Sequence, residues 1–201
     1  MGFVNPPLVI EAVGRSFCSR ALNSRGEVLL LAVYAALKES DALASLHFES
    51  GRCVRGVVKE VDGAFAEEER SRQHSIFSVV RAVTELFACE SEPQLGLYGA
   101  FGYDLTFQFE PVRLSHARDP EQRDLVLYIP DELLVIDIHT RASRKLRYEF
   151  SYEGRTTLGI ERVGTCEPYV PVGEDALPAR RDHKAGEFAG KVCRAKEEFK
   201  V

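Results

Sequence analysis

The chain has 201 residues, 45% apolar and 28% charged, with a formal net charge of −5. That is the balance of an ordinary soluble protein, with room for one substantial domain or one domain and an appended piece. The acidic surplus argues against nucleic acid as the main partner, and no apolar run approaches the roughly eighteen residues that a membrane helix needs.

The start, Met1-Gly2-Phe3-Val4-Asn5-Pro6-Pro7, carries neither the basic segment nor the apolar core of a secretory leader. Pro6 and Pro7 set an extended entry, because each proline pushes its predecessor out of helical space. Leu8-Val9-Ile10 and residues 15–22 then read as strands, and Asn23-Ser24-Arg25-Gly26 reads as a turn. Residues 28–39 fit strand or helix by periodicity; their length and the alanines at 32, 35 and 36 favour helix. A strand pattern covers residues 52–61 and ends at Asp62-Gly63.

Residues 75–88 form the clearest helix of the first half. Ile76, Val79, Val80, Val83 and Phe87 make one apolar stripe, Ser75 can serve as N-cap, and Arg81 and Glu85 stand four apart on the other face. Residues 96–102 read as a glycine-punctuated apolar strand, after which Asp104 can cap a short helix ended by Pro111. Residues 125–129 and 133–136 are continuous apolar runs, the pattern of strands covered on both faces. Residues 140–145 turn the chain, and the alternation of Leu146, Tyr148 and Phe150 with Arg147 and Glu149 makes a half-buried returning strand. The basic run Arg141 to Arg147 reads as a solvated hairpin tip.

Residues 159–182, with Pro168, Pro171, Pro178 and Gly173, read as a linker. A last helix begins near Lys184, with Phe188, Val192, Ala195 and Phe199 as its stripe and Glu187–Lys191 and Arg194–Glu198 as four-apart pairs. It runs without a capping residue to Val201, the pattern of a sequence cut short. The domain organisation is therefore 1–158, a linker at 159–182, and a helix at 183–201. The fold class is α+β, with mixed or antiparallel sheets and packed helices.

The chemistry-bearing residues are sparse. Cys18, Cys53, Cys89, Cys166 and Cys193 are odd in number and scattered, with no C-x-x-C, so they read as free thiols in a reducing cytoplasm rather than a disulfide framework or zinc site. His47, His74, His116, His139 and His183 show no metal-ligand spacing. Gly96, Gly99 and Gly102 are spaced G-x-x-G-x-x-G in an apolar setting, whereas a dinucleotide loop needs G-x-G-x-x-G between strand and helix. They read as strand glycines at a close backbone approach or a kink. The carboxylate runs Glu67-Glu68-Glu69, Asp131-Glu132 and Glu197-Glu198 read as solvated faces or strand ends. No catalytic, cofactor-binding or metal-binding residue stands out.

The run Gly96-Leu97-Tyr98-Gly99-Ala100-Phe101-Gly102-Tyr103-Asp104-Leu105-Thr106-Phe107-Gln108-Phe109-Glu110 resembles a signature of component I of anthranilate synthase. It is most similar to the bacterial type fused to its glutamine amidotransferase. Phe3 to Val9, Asn23 to Gly26, Glu67 to Ser71, Phe77 to Thr84, Gln122 to Leu127, Pro130 to Glu132 and Lys191 to Phe199 agree in order and spacing.

The resemblance implies an α+β amino-terminal region of a lyase that makes anthranilate and pyruvate from chorismate and glutamine-derived ammonia. The parent enzyme would be cytoplasmic, Mg²⁺-dependent, inhibited by tryptophan and homo-oligomeric. Its implied partners are a chorismate-binding domain, entered after residues 183–201, and a glutamine amidotransferase domain or subunit. The chorismate and Mg²⁺ ligands lie beyond this sequence, so the fragment is expected to be inactive alone. Gly96, Gly99, Gly102, Tyr103 and Asp104 are left with a structural role: Tyr98, Phe101, Tyr103 and Phe107 as packing surface, Asp104 at a strand-to-helix corner. Aminodeoxychorismate synthase component I, or a non-catalytic interaction module, are the alternatives.

Overall fold

The computed structural model describes residues 1–60, 67–70, 72–110, 115, 117–119, 122–163 and 183–199. Asp62-Gly63, Pro111 and most of the expected linker lie outside these. Two compact units divide the chain, Met1–Cys166 and Glu167–Val201.

The first unit is organised around β1 (Leu8–Val13), which lies inside the sheet with a partner on each side. β1 turns into β2 (Ser16–Ala21) through a two-residue hairpin opened by Gly14 at φ 55, where a type II′ turn demands positive φ. β3 (Leu43–Glu49) and β4 (Cys53–Val58) form a second hairpin, and β5 (Tyr98–Phe101) and β6 (Leu125–Ile129) complete the sheet. The order is β3-β4-β2-β1-β6-β5, and every pairing is antiparallel. The fold is α+β.

Side chains alternate across this sheet. Leu8, Ile10, Ala12, Phe17, Val54, Val58, Leu125, Leu127 and Ile129 point to one face and are buried in a single core. Two helices cover that face. α1 (Ser24–Lys38) contributes Val28, Leu29, Leu30, Val33 and Leu37; α3 (Ile76–Leu86), which follows the short α2 (Glu67–Arg70), contributes Ile76, Val79 and Val83. Val9 belongs to the opposite face yet is also buried. Its ladder partner Tyr128 packs at a tilt against Phe3, 5.9 Å between centroids, so the entry segment, bent at Asn5 (φ 49) rather than extended as expected, covers that patch.

Other local expectations change. The tetrapeptide Asn23 to Gly26 is the start of α1 rather than a free turn: Asn23 Oδ1 accepts from the N–H groups of Arg25 and Gly26, both at 3.1 Å. Asparagine suits both settings for one reason, its short acceptor side chain. The N-cap of α3 is Ser75, but its hydroxyl has no partner. The cap works in reverse, with Ser78 Oγ accepting from Ser75 N–H at 3.3 Å. Arg81 turns back to Ser78 Oγ at 3.4 Å rather than toward Glu85.

A further change concerns residues 133–136. They lie in β7 (Glu132–Ile136), which pairs with β8 (Ser143–Arg147) in a separate two-stranded hairpin and meets Gly2 through a single antiparallel bridge at Leu134. A lone hairpin has one covered face, so Leu133 is buried while Leu134 and Ile136 are exposed. The basic run is exposed as expected but is not the hairpin tip: residues 143–147 form β8, and Lys145 and Arg147 both reach Glu132 at 2.7 Å on the outside of this hairpin. A last small hairpin, β9 (Ser151–Tyr152) and β10 (Arg155–Thr156), turns through Glu153 and Gly154, both at positive φ.

The second unit contains α4 (Glu187–Glu198), begun at Gly186 in the left-handed region and pinned by Glu187–Lys191 at 3.1 Å. Phe188 and Phe199 of its expected stripe are exposed. Among the described residues no helix is long and apolar enough to cross a membrane.

Candidate functional site

The motif at residues 96–110 folds into an edge strand and a corner. Gly99 on β5 faces Leu127 across the ladder. A Cβ there would stand 1.9 Å from the carbonyl oxygen of Val126, so only glycine lets these strands approach. Gly102 begins the 3-10 helix Tyr103–Gln108, with Asp124 O 3.0 Å from where its Cβ would be. Gly96 has open space around it.

The cap of the 3-10 helix is Gly102, not Asp104. Asp104 lies in its first turn and ties the corner from outside: it pairs with Arg118 at 2.9 Å and accepts from Gln122 Nε2 at 3.2 Å. Tyr103, expected to supply packing surface, is 82% exposed; Leu105, at 4%, is the buried anchor instead. A 3-10 helix repeats every three residues, so the residue that points inward is set by the turn and not by apolar size. Phe101 and Phe109 stack on Phe77 of α3, at 5.8 and 5.9 Å between centroids. Tyr98 packs edge-on to Phe3 at 5.9 Å, and burial raises its hydroxyl pKa.

Two polar residues that no pattern singled out do the joining. Gln108 Oε1 accepts from Ile76 N–H at 2.9 Å, capping α3, while its Nε2 donates to Gly14 O at 2.9 Å. Asp124 accepts from Gly14 N–H at 2.6 Å and pairs with Arg118. Arg15 Nη1 donates to His74 O at 2.7 Å and Lys59 O at 2.8 Å. The motif thus clamps the β1–β2 turn to the start of α3 and the end of β5.

A second cluster centres on Arg25, 1% exposed in the first turn of α1. Its Nε donates to Asp131, Nη1 to the carbonyls of Thr157 (2.7 Å) and Ile160 (3.0 Å), and Nη2 to Tyr148 O (3.0 Å) and Glu149 (2.9 Å). Arg162 reaches Glu149 at 2.6 Å and Tyr148 O at 3.0 Å. Desolvation pulls the Glu149 carboxyl up. Hydrogen bonds from Thr157, Arg162 and Arg25, with the charge of Arg25, outweigh that and hold it at about 2. Ile160 and Arg162, expected in the linker, pack into this cluster.

Both clusters are closed: their charged groups face backbone or one another. Among the described residues no group of three or more His, Cys, Asp or Glu side chains could hold a metal ion. What the arrangement does physically is fasten helix termini and hairpin turns onto one sheet. Fold and site together define an α+β scaffold domain whose signature residues build junctions.

The comparisons with known proteins give that scaffold a family. Over 200 residues, all of this chain, it is 43% identical to anthranilate synthase of Azospirillum brasilense, covering 27% of that protein. It is 28% identical over 148 residues to anthranilate synthase component 1 of Vibrio cholerae, spanning 70% of this chain and 27% of the relative. For the Vibrio parahaemolyticus component 1 the figures are 31% over 97 residues, 47% and 18%. No family model matches the chain. The chain is a homologue of anthranilate synthase, and it spans about a quarter of the length of the first two relatives.

Proposed function

We propose that this chain is the scaffold segment of an anthranilate synthase, the lyase that converts chorismate and glutamine-derived ammonia to anthranilate and pyruvate in tryptophan biosynthesis. The identity of 43% across 200 residues carries this reading. In it the chemistry belongs to the remaining three quarters of such a protein, roughly the share of the relatives that this chain leaves unmatched. The segment supplies a rigid sheet-and-helix platform, with a glutamine amidotransferase as the further partner and the cytoplasm as the location.

Mg²⁺ enters only as the resemblance implies it. The described residues bring together no donor set for the ion. What these residues contribute is position: the Gln108–Gly14 and Arg25–Asp131 junctions fix the platform to which a catalytic region would attach.

The test is replacement. Exchanging this chain for the matching segment of the Azospirillum brasilense enzyme should keep anthranilate production from chorismate and glutamine, read by anthranilate fluorescence. The chain alone with chorismate, ammonia and Mg²⁺ should yield none. A folded chimera without activity, or turnover by the isolated chain, would overturn the proposal.

A further inference from the structure

Cys18 and Cys53 stand 35 positions apart in the sequence, with nothing in their spacing to link them. The sheet brings them together. β2 and β4 are neighbours, with Cys18 opposite Arg55 and Cys53 opposite Arg20, so the cysteines occupy diagonal positions on the same outward face. Their sulfur atoms lie 2.8 Å apart. A covalent bond of about 2.05 Å requires the two sulfur atoms to approach by a further distance of roughly 0.8 Å.

Access and resting state also fit. Both thiols are half-buried and unbridged. Cys18 opens on a groove of about 240 Å³ lined also by Glu11, Ser16, Arg55 and Arg123, wide enough for a small peroxide. Burial, reinforced by Cys53, pushes the Cys18 thiol up to about 12, so at neutral pH Cys18 stays a protonated thiol.

We propose that Cys18 and Cys53 are an oxidative modification site, closing to an intrachain disulfide on exposure to a peroxide and reopening with a thiol reductant. The chemistry balances in two steps. One of the two sulfur atoms attacks a peroxide oxygen; the O–O bond breaks, the thiol proton leaves with the departing oxygen, and with hydrogen peroxide the products are a cysteine sulfenic acid and water. The other sulfur then attacks the sulfenic sulfur. An S–S bond forms, the S–O bond breaks, and the hydroxyl leaves with the second thiol's proton as a second water. Two thiols are oxidised and one peroxide is reduced.

The 201-residue chain, titrated with hydrogen peroxide, alkylated and digested with trypsin without reduction, tests this. The expected product is residues 16–20 linked to residues 53–55, lighter than the two free peptides by two hydrogens. It should form at lower peroxide than any modification of Cys89 and revert with dithiothreitol. The oxidised protein should show a rise in Tm on the order of 5 °C, absent in Cys18→Ser and Cys53→Ser. Dimedone should label Cys53 in Cys18→Ser. Recovery of Cys18 and Cys53 as separate alkylated or sulfinic peptides, while Cys89 is oxidised, would overturn the proposal without reference to any variant. So would disulfides joining either residue to another chain.

Discussion

Arg25 places five N–H donors in a pocket where each finds an acceptor. Such a group contributes by being satisfied, since removing it leaves Asp131, 3% exposed, with Arg162 at 3.4 Å as its remaining cation and without its hydrogen bond from Arg25. Arg25→Met should therefore cost on the order of 3–5 kcal/mol, read as a lowered midpoint in urea unfolding followed by circular dichroism. A change below 1 kcal/mol would show that water reaches Asp131.

Glu149 gives the same cluster a pH signature. Its folded pKa, about 2, lies below the ordinary value of 4.5, so its stabilisation is fully present above about pH 4.5 and fades as pH falls toward 2. Because its side chain is 37% exposed, solvent screening discounts the size of the effect. Unfolding midpoints at pH 5, 4, 3 and 2 should fall less steeply for Glu149→Gln than for the unsubstituted protein. Equal slopes would mean that other carboxylates carry the whole dependence.

At the scale of elements, the motif glycines differ in what they are for. Gly99→Ala places a methyl 1.9 Å from Val126 O, so β5 must move off β6 and the cost is about 1–3 kcal/mol. Gly96→Ala meets nothing within 4 Å and should change stability by less than about 0.5 kcal/mol. Thermal unfolding of the two variants side by side checks the contrast.

Which elements were legible follows the same physics. α3 announces itself because one face is buried and burial enforces a period, whereas α1 is legible through its length and alanines and β6 through a continuous apolar run. β3 is not legible: a register shift between Leu43 and Ser45 breaks the alternation, and Ser45 and Leu46 are both partly buried. β7 misleads in the other direction, since an apolar run looks the same whether a second layer covers it or a partner outside the described residues is needed. The junctions are the least legible part. Gln108 and Asp124 act on Gly14, 94 and 110 positions away, and no local pattern encodes such a partner.

For the whole molecule, the informative surface is the exposed side of the β7–β8 hairpin, where Leu134 and Ile136 stand beside Glu132, Lys145 and Arg147. Ile136 and Ile138 are 55% and 81% exposed, and Leu134 beside them borders a groove of about 500 Å³ shared with Gly2, Phe3 and Val4. A hairpin that kept this face in water would gain nothing from three large aliphatic side chains, whereas a neighbouring domain laid on it would bury them at about 25 cal/mol per Å². The chain spans about a quarter of its first two relatives, so the remainder of such a protein is the natural cover. Replacing Ile136 and Ile138 together by lysine should then leave the Tm of the isolated chain nearly unchanged, because neither side chain is packed. The same pair of changes should weaken association with the remainder of the Azospirillum brasilense enzyme, supplied as a separate polypeptide, by about tenfold or more. Sedimentation velocity of the mixture reads that association directly. An unchanged affinity would move the domain contact off this hairpin, and a lowered Tm would mean the two isoleucines already pack within the chain.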